Sequence, residues 1–275
     1  MSNVQKKTAI VTGGANGIGF QCCRELLRNG AKTVAIFDLA KANGEASVSK
    51  LNKEFGAGRA LFFPTDVAQF DKLEVVFKSA VEALGGLDIL INNAGICNDA
   101  TWQTEIQINF MAVVKSTLLA YDYMGTHKGG KGGVIANMAS VLGLITTKYS
   151  PVYTATKHAV LSFTVSLKDH FERTGVSVRV MCPGGSDTAL TAEVGNKCLD
   201  IVDKAEIVQN RLGWIIQPCE YVGKAMVELI DKGANGAIWI SQACDPPFEV
   251  ELPKYECMKI LRTAKLFEAQ EHRIV

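Results

Sequence analysis

The sequence predicts a single α/β domain, a doubly wound parallel sheet with helices on both faces. Seven short apolar runs recur along the 275 residues, and most are followed by a stretch of helical periodicity. The runs are continuously apolar rather than alternating, which is typical of parallel strands that are buried on both faces. No linker and no internal repeat divides the chain. Residues 1–275 are therefore assigned to one domain with right-handed crossovers.

The predicted strands and helices alternate along the chain. The strands are TAIVT (8–12), TVAIFD (33–38), ALFFPTD (60–66), LDILINN (87–93), GVIANMAS (133–140), VSVRVMC (176–182) and GAIWIS (236–241). Helical patterns follow the first five strands, at 17–28, near 41–54, near 69–84, from about 103 to 124, and from 151 onward. Because parallel strands end at the same edge of a sheet, the residues that follow them are expected to meet there.

The composition excludes several classes of function. The chain is 48% hydrophobic and 21% charged with a formal net charge of +1, so nucleic acid and anionic membrane surfaces are not expected as partners. No apolar run is long enough to span a bilayer, and none near the start is long enough for a signal peptide. The eight cysteines form no CxxC pair and no metal-type spacing with histidine. This pattern favours reduced thiols, a cytoplasmic protein and no bound metal.

A glycine-rich turn, TGGANGIG (12–19), joins the first strand to the first helix. Its spacing differs from GxGxxG, but Gly13, Gly17 and Gly19 would serve the same purposes, a tight turn and close approach of the backbone to a pyrophosphate. The N–H groups at the start of the helix, around Asn16 and Ile18, would bind the negative charge. An ordinary βα loop is the alternative, which the strand–turn–helix context disfavours.

Asp38 ends the second strand, nineteen residues beyond the glycine-rich turn. An acidic residue at this distance can hydrogen-bond the hydroxyls of an adenosine ribose. Its carboxylate would repel the 2′-phosphate of NADP, and neither Asn16 nor Leu39 supplies a positive charge, so NAD is the predicted cofactor. Asp66 and Val67, at the end of the third strand, are expected to line the same edge.

The stretch PVYTATKHAV (151–160) carries a tyrosine and a lysine one helical turn apart. Tyr153 and Lys157 would lie on the same face of a helix. Their neighbours are small or apolar, so the pair is expected to face an enclosed cavity rather than water. The alternative is a surface aromatic beside a solvated charge. His158 lies one step further round the helix and is expected on another face.

With NNAG (92–95) and Ser140, these motifs resemble those of the short-chain dehydrogenase/reductase family over about residues 6–240. The resemblance implies a Rossmann fold and a catalytic set of Asn109, Ser140, Tyr153 and Lys157. Within the family, four stretches are similar to the branch that contains insect-type alcohol dehydrogenases and hydroxyprostaglandin dehydrogenase. They are IQIN (106–109), GGKGGVIANMAS (129–140), PVYTATK (151–157) and NGAIW (235–239).

The resemblance also implies further contacts with the dinucleotide. The NNAG segment would line the adenosine side, through Asn92, Asn93, Ala94 and Gly95. The stretch PGGSDT (183–188) would lie near the nicotinamide, through Pro183, Gly184, Ser186 and Thr188. Ser186 stands where the family usually has valine, which changes the packing of that side chain but not the expected backbone contact.

In the reaction that the family performs, hydride leaves the carbinol carbon while a base removes the hydroxyl proton, and Tyr153 would be that base. A free tyrosine has a pKa of about 10, so action near neutrality requires about 4 kcal/mol in favour of phenolate. The Lys157 ammonium and the oxidised nicotinamide would each contribute roughly 3 kcal/mol at about 5 Å. Lys157 would also hold ribose hydroxyls, Ser140 would hydrogen-bond the substrate oxygen, and Asn109 would hold a water between Lys157 and solvent.

A substrate lid is implied at about 189–218. Its apolar side chains and the lack of clustered arginines imply an apolar, uncharged alcohol as substrate. The apolar residues are Leu190, Val194, Leu199, Ile201, Leu212, Trp214 and Ile215.

Two helical stretches, 106–120 and the Tyr153 helix, are too apolar for a surface that is open to water. The same helices of a second copy would cover them, which is the usual mode of association in the family, as a homodimer or homotetramer. The chain's own tail, about 242–275, is the alternative cover. The tail carries a helical stripe that could cap a pocket or pack on a partner, formed by Tyr255, Met258, Leu261, Ala264 and Phe267.

Two functions of other classes compete with an NAD-dependent alcohol dehydrogenase. A dinucleotide-binding scaffold or sensor would keep the fold without turnover, but it has no need for Ser140, Tyr153 and Lys157 together. A structural or storage protein would need neither Asp38 nor the glycine-rich turn. The sequence therefore favours the enzyme.

Overall fold

The fold is given by a computed structural model that describes residues 3–193, 197–211 and 215–253. The strands are β1 (Thr8–Thr12), β2 (Thr33–Asp38), β3 (Ala60–Pro64), β4 (Ile89–Asn92), β5 (Gly133–Met138), β6 (Val176–Pro183), β7 (Ile238–Ser241) and β8 (Phe248–Val250). They form one sheet in the order β3-β2-β1-β4-β5-β6-β7-β8. The first seven strands pair in parallel, which confirms the predicted parallel sheet.

One strand of the described chain was not predicted. The sequence predicts seven strands and a tail from about 242, whereas β8 pairs antiparallel with β7 and places Glu249 opposite Trp239. Its three residues are too few for a periodic signal, and two of them are exposed. The edge position of β8 leaves it without the continuous apolar pattern of a buried strand.

Ten α-helices lie in the described ranges. They are α1 (Gly17–Arg28), α2 (Gly44–Phe55), α3 (Phe70–Leu84), α4 (Trp102–Ile106), α5 (Ala112–Met124), α6 (Pro151–Ser166), α7 (Phe171–Thr174), α8 (Ala189–Glu193), α9 (Lys204–Arg211) and α10 (Cys219–Lys232). Among them there is no helix with the length and apolar character needed to cross a membrane.

The long helix predicted at 103–124 is interrupted. The helices α4 and α5 are joined by a π-helical turn, Gln107–Met111. A π-turn accommodates an extra residue without ending the helix, and such turns often occur at functional sites. Hydrophobic periodicity does not reveal it, because the apolar residues continue on both sides.

The sheet is covered on both faces by apolar helices. On one face Val11 and Ile91 pack in a cluster with Leu26 of α1 and Met226 of α10. On the other face the neighbouring strand residues pack with α3 and α5, in a cluster that includes Ile10, Leu90, Phe77 and Leu119. Alternate residues of β1 thus enter opposite layers, as the period of a strand requires. Because β1 pairs with both β2 and β4, the strand order reverses there and a crevice opens at the carboxyl edge.

Candidate active site

A cavity of about 460 Å³ opens at this carboxyl edge of the sheet, within the usual size range of small-molecule sites. It brings together residues from the ends of several strands and from α6. Of the residues assigned to cofactor or catalysis from the sequence, those that line the cavity are Gly13, Asn16, Gly17, Ile18, Asp38, Leu39, Asp66, Val67, Asn93, Ala94, Gly95, Ser140, Tyr153, Lys157, Pro183, Gly184, Ser186 and Thr188. Gly19 and Asn109 do not line it.

The glycine-rich turn presents backbone to the cavity. Gly13 and Gly17 have φ angles of +63° and +52°, a conformation that other residues rarely adopt. No side chain caps the first turn of α1, so its N–H groups have no partner within the helix and can bind an anion. Gly19 lies behind the turn rather than in the cavity. A Cβ at this position would lie 2.1 Å from the Gly13 carbonyl oxygen. The absence of a side chain on Gly19 therefore permits α1 to pack closely against the glycine-rich turn.

The Asp38 carboxylate lies at one end of the cavity and is fixed by two backbone N–H groups. Ala15 N–H donates to Oδ2 over 2.9 Å and Leu39 N–H donates to Oδ1 over 2.8 Å. Asn16 turns its amide away, to the Ala42 carbonyl at 2.8 Å. Among the described residues that line the cavity, Lys157 is the one cation. The Asp38 end therefore has a fixed negative charge and no positive one.

The two asparagines of NNAG lie on opposite sides of the backbone. Asn93 lines the cavity, and its amide donates to the Gly13 carbonyl at 3.1 Å, which joins this segment to the glycine-rich turn. Asn92 is buried inside the fold, where its amide donates to Asn137 Oδ1 at 2.8 Å and Thr117 Oγ1 at 3.1 Å. The interpretation that Asn92 lines the adenosine side was therefore wrong. Its position at the end of β4 points it to the helix layer, and the next residue points to the cavity.

Tyr153 and Lys157 lie at the other end of the cavity, on one face of α6. The Lys157 Nζ is 5.5 Å from the centroid of the Tyr153 ring, and the two residues are only 3% and 9% exposed. Nζ donates a hydrogen bond to the Met138 carbonyl at 3.0 Å. His158 is turned elsewhere, with Nδ1 2.9 Å from the Thr154 carbonyl.

Burial shifts both groups toward their neutral forms. It lowers the pKa of Lys157 to about 8 and raises the pKa of Tyr153 well above its ordinary value. Cys97 raises the pKa of Tyr153 further, whereas a hydrogen bond with Ser140 lowers it. The sequence predicts that Lys157 helps to depress the pKa of Tyr153. In the protein alone the direction is opposite, because the phenolate loses more hydration energy than its neighbours return.

Ser140 lies two residues after the end of β5, next to the Tyr153 phenol. Its Oγ accepts a hydrogen bond from the Leu142 N–H at 3.1 Å, which fixes the turn that follows the strand. The side chain is buried and faces the cavity. It is therefore placed to hydrogen-bond an oxygen that approaches Tyr153.

Asn109 lies in the π-turn and is fully buried. Its Oδ1 accepts the Ile96 N–H at 2.8 Å, and its Nδ2 donates to the Ile96 carbonyl at 2.8 Å and to Thr156 Oγ1 at 3.2 Å. The side chain therefore holds the loop after β4 against α6. The water-holding role assigned from the sequence stays a prediction.

An apolar wall surrounds the Tyr153 ring. Cys97, Cys198 and Ile207 pack with it in one buried cluster, together with the half-buried Leu142, Tyr149, Leu190 and Val202. Four of these residues come from the predicted lid, which in the described ranges contains α8 and α9. Two further apolar residues of the predicted lid, Ile201 and Ile215, are exposed to solvent and do not belong to this cluster. Val194, Leu212, Trp214 and the predicted tail stripe from Tyr255 to Phe267 lie outside the described residues.

Sequence reasoning missed two buried acids behind Tyr153. Asp99 accepts hydrogen bonds from the backbone N–H groups of Val152 and Tyr153, and so caps α6. Glu105 lies beside it. The local sequence offers Ser150 as the cap, yet no side-chain cap bond forms there. A cap that comes from more than fifty positions away leaves no local signal.

Comparison with known proteins gives a consistent result. Residues 7–199 match the family model described as short chain dehydrogenase. The chain is 35% identical over 244 residues to mouse (Mus musculus) 15-hydroxyprostaglandin dehydrogenase, whose name specifies NAD(+), covering 86% of this chain and 90% of that protein. It is 32% identical over 238 residues to alcohol dehydrogenase 1 of Ceratitis capitata, covering 86% of this chain and 91% of that protein.

Solved structures show the same architecture. A dehydrogenase/reductase from Sinorhizobium meliloti 1021 superposes with a TM-score of 0.72 at 26% identity, over 88% of this chain and 96% of that one. A short chain dehydrogenase from Burkholderia cenocepacia J2315 in complex with NADP superposes with a TM-score of 0.73 at 24% identity, over 88% of this chain and 98% of that one. The second likeness bears on the fold alone.

Proposed function

The chain belongs to the short chain dehydrogenase family, and from this premise we propose that it is an NAD-dependent alcohol dehydrogenase. It would interconvert an apolar primary or secondary alcohol and its aldehyde or ketone. One observation carries the proposal: Tyr153 and Lys157 are buried together at the end of a cavity whose other end carries Asp38.

The cavity fits a nicotinamide dinucleotide by features of this chain. The uncapped start of α1 and the positive φ angles of Gly13 and Gly17 suit a pyrophosphate. The fixed Asp38 carboxylate suits ribose hydroxyls and disfavours a 2′-phosphate. The name of the mouse relative, which specifies NAD(+), supports NAD. The NADP held by the Burkholderia protein makes the choice between the two cofactors the first point to test.

The catalytic end is proposed to act by proton transfer from the substrate hydroxyl to Tyr153. When bound, the oxidised dinucleotide supplies the hydride acceptor and a positive charge beside the phenol. Ser140 would donate to the substrate oxygen and steady its charge. Lys157, with a pKa of about 8, carries its ammonium in about nine-tenths of molecules at neutral pH.

The electrostatic balance requires both positive charges. With its Nζ 5.5 Å from the centroid of the Tyr153 ring and an effective dielectric of about 20, the Lys157 ammonium stabilises a phenolate by roughly 3 kcal/mol. Burial opposes this and keeps the Tyr153 pKa high in the protein alone. Tyr153 is therefore proposed to become a base only when the cavity holds the second charge, so the free protein should show no tyrosine titration near neutral pH.

The proposed substrate is an apolar alcohol because the wall around Tyr153 is apolar. Leu142, Leu190 and Ile207 present hydrocarbon to this space, and no arginine lines the described part of the cavity. A carboxylate or phosphate on the substrate would find no cationic partner among the described lining residues other than Lys157. Burial of apolar substrate surface would supply the binding energy.

Association and location are also proposed. Met111 and Leu118 are exposed on the outer side of the helical segment that ends in α5, and α6 packs beside it through Phe163 against Phe110. A second copy would cover this face, so the protein is proposed to be a homodimer or homotetramer. The free cysteines of the described residues favour a reducing compartment, so a cytoplasmic location is proposed. A monomer by gel filtration at micromolar concentration would contradict the association.

The function is tested by following the absorbance of reduced nicotinamide when the purified chain meets NAD or NADP. The panel should contain primary and secondary aliphatic alcohols, terpenoid alcohols, hydroxysteroids and hydroxy fatty acids. We expect turnover with NAD and the more apolar members. Dinucleotide binding without turnover on any member would favour a scaffold or sensor, and no dinucleotide binding at all would favour a structural role.

A further inference from the structure

Two acidic side chains are packed together in the dry interior behind Tyr153. Glu105 is 0% exposed and Asp99 is 1% exposed. A carboxylate oxygen of each and the Cys97 sulfur all lie within 4.8 Å of one another. Two ionised carboxylates at this separation in the buried interior would repel each other strongly. The hydrogen bonds of each carboxyl group indicate which of the two carries a proton.

Asp99 already uses both of its oxygens as acceptors. Val152 N–H donates to Oδ2 over 2.8 Å and Tyr153 N–H donates to Oδ1 over 3.1 Å. These N–H groups belong to the first turn of α6, which has no partner for them inside the helix. The Asp99 carboxylate therefore fixes the backbone of the residue that carries the phenol.

Glu105 has one satisfied oxygen and one that lacks a donor. Oε1 accepts the Asn98 N–H at 2.9 Å. Oε2 is buried and has no hydrogen-bond donor among the described residues, although the carboxyl group that carries it has an oxygen within 4.8 Å of an Asp99 oxygen. A proton on Oε2 resolves this, because the oxygen then donates to Asp99 instead of facing it as a second acceptor.

We propose that Glu105 is a positioning residue, which keeps its proton at neutral pH and donates it in a hydrogen bond to Asp99, so that Asp99 holds the start of α6 and Tyr153 in place. The protonation stands on the geometry alone, and only its effect on turnover rests on the proposed function. A metal ion is the competing occupant of the Cys97, Asp99 and Glu105 cluster, and metal analysis of the purified protein distinguishes the two.

The electrostatic surroundings agree with this geometry. Burial raises the pKa of Glu105 to about 8, and the hydrogen bond and charge of Asp99 raise it too, against the lowering effects of the Asn98 N–H and of Lys157. The titratable groups that face Glu105 are Cys97, Asp99, Tyr153 and Lys157. Burial also raises the pKa of the Cys97 thiol to about 12, so it carries no charge near neutral pH.

The sign of the pH effect follows from the raised pKa. Below about pH 4.5 a glutamate is protonated in both folded and unfolded chains, so Glu105 contributes no pH dependence. Between that pH and about 8 only the folded chain keeps the proton, and the folded state loses stability as pH rises. Above about 8 both states are ionised, and two carboxylates then face each other behind Tyr153.

Proton release on unfolding tests the protonation with the wild-type protein. Calorimetric unfolding at about pH 6.5, in buffers of different ionisation enthalpy, should release about one proton per molecule, since Glu105 then passes from protonated to ionised. Glu105→Gln keeps an N–H donor for Asp99 and should abolish this release. The exposed Glu82→Gln on α3 should leave it unchanged. No release from the wild-type protein, or a stoichiometric metal in the purified protein, would overturn the proposal.

Turnover and its pH profile test the positioning role. Glu105→Leu removes the donor and should lower kcat about tenfold through displacement of Tyr153, whereas Glu105→Gln should recover most of this loss. In the wild-type enzyme kcat should decline above about pH 8 as Glu105 ionises and Lys157 loses its proton, and Glu105→Gln should keep only the part of the decline that Lys157 causes. An unchanged kcat in a folded Glu105→Leu would refute the positioning role. A wild-type protein that releases the proton but turns over no alcohol would refute the proposed function alone.

Discussion

The two ends of the cavity are built on different physical principles. At the Asp38 end, backbone N–H groups and one carboxylate held by two hydrogen bonds meet the proposed adenosine and pyrophosphate. At the other end, Tyr153 and Lys157 are almost completely withdrawn from water, and burial shifts the pKa of both. The first end offers a preformed charge pattern, whereas the second changes the acidity of its groups.

This difference teaches that binding and chemistry can be altered separately. Groups in polar surroundings recognise a ligand without large desolvation, while a dry site strengthens every charge interaction that a reaction can use. Changes at the Tyr153 end should therefore alter turnover more than cofactor affinity. Changes at the Asp38 end should do the reverse.

The largest effect is expected for Tyr153→Phe. Loss of the phenolic oxygen removes the proposed general base, which should lower kcat at least about a hundredfold while NAD affinity stays nearly intact. Initial rates and a fluorescence titration with NAD measure the two quantities. Tyr121→Phe is the matched control, because that buried hydroxyl on α5 has no partner among the described residues and lies away from the cavity. Residual turnover above about 1% of wild type would exclude Tyr153 as the base.

The next effect is expected for Lys157→Met. Removal of a charge worth roughly 3 kcal/mol at 5.5 Å should lower kcat near neutral pH by about a hundredfold. The rising limb of the pH–rate profile should move to higher pH, because the phenolate then has one positive charge fewer to stabilise it. The exposed Lys78→Met on α3 is the control. A profile that keeps its wild-type position would show that Lys157 does not act on the proton transfer.

A smaller effect, confined to the other end, is expected for Asp38→Asn. The amide keeps the shape of the side chain but loses the charge that repels a 2′-phosphate, so the preference for NAD over NADP should fall at least about tenfold. The ratio of kcat/KM for the two cofactors measures it, with exposed Asp71→Asn on α3 as control. An unchanged ratio would mean that Asp38 does not select the cofactor, and a large fall in kcat at saturating NAD would break the separation of the two ends.

The last effect is on stability rather than on the rate, and it again concerns Lys157. Its pKa of about 8 in the fold lies below the ordinary value of 10.5. Below about pH 8 Lys157 is protonated in both the folded and the unfolded chain, so the folded state bears the full free-energy cost of a buried ammonium. Between about pH 8 and 10.5 only the unfolded chain keeps the proton, so the stability of the wild-type protein should increase with pH. Lys157→Met should therefore be more stable by roughly 3 kcal/mol at neutral pH, with the difference vanishing near pH 10.5. Denaturant unfolding across this range measures it, and a constant difference would contradict the shift.

Local patterns allowed much of the site to be predicted. Gly13 and Gly17 are recognisable because a turn with positive φ leaves few alternatives to glycine. Tyr153 and Lys157 are recognisable because a spacing of four places two side chains on one helix face. Both patterns operate over a few residues, so the sequence contains all the information they need.

Patterns that depend on distant segments were missed or misread. The burial of Asn92 depends on its contacts with Asn137 and Thr117 in other elements. The capping of α6 depends on Asp99, which precedes the helix by a long stretch of chain. The exposure of Ile201 depends on how the lid lies on the domain.

The sequence by itself determined the alternation of strands and helices, the glycine-rich turn and the pairing of Tyr153 with Lys157, because short-range sterics and hydrophobic periodicity act between neighbouring residues. Only the tertiary structure decided which polar groups lose water. Burial raised the pKa of Tyr153 and of Glu105 and lowered that of Lys157. Desolvation is a property of everything packed around a group, and that packing is assembled from segments that are far apart in the chain.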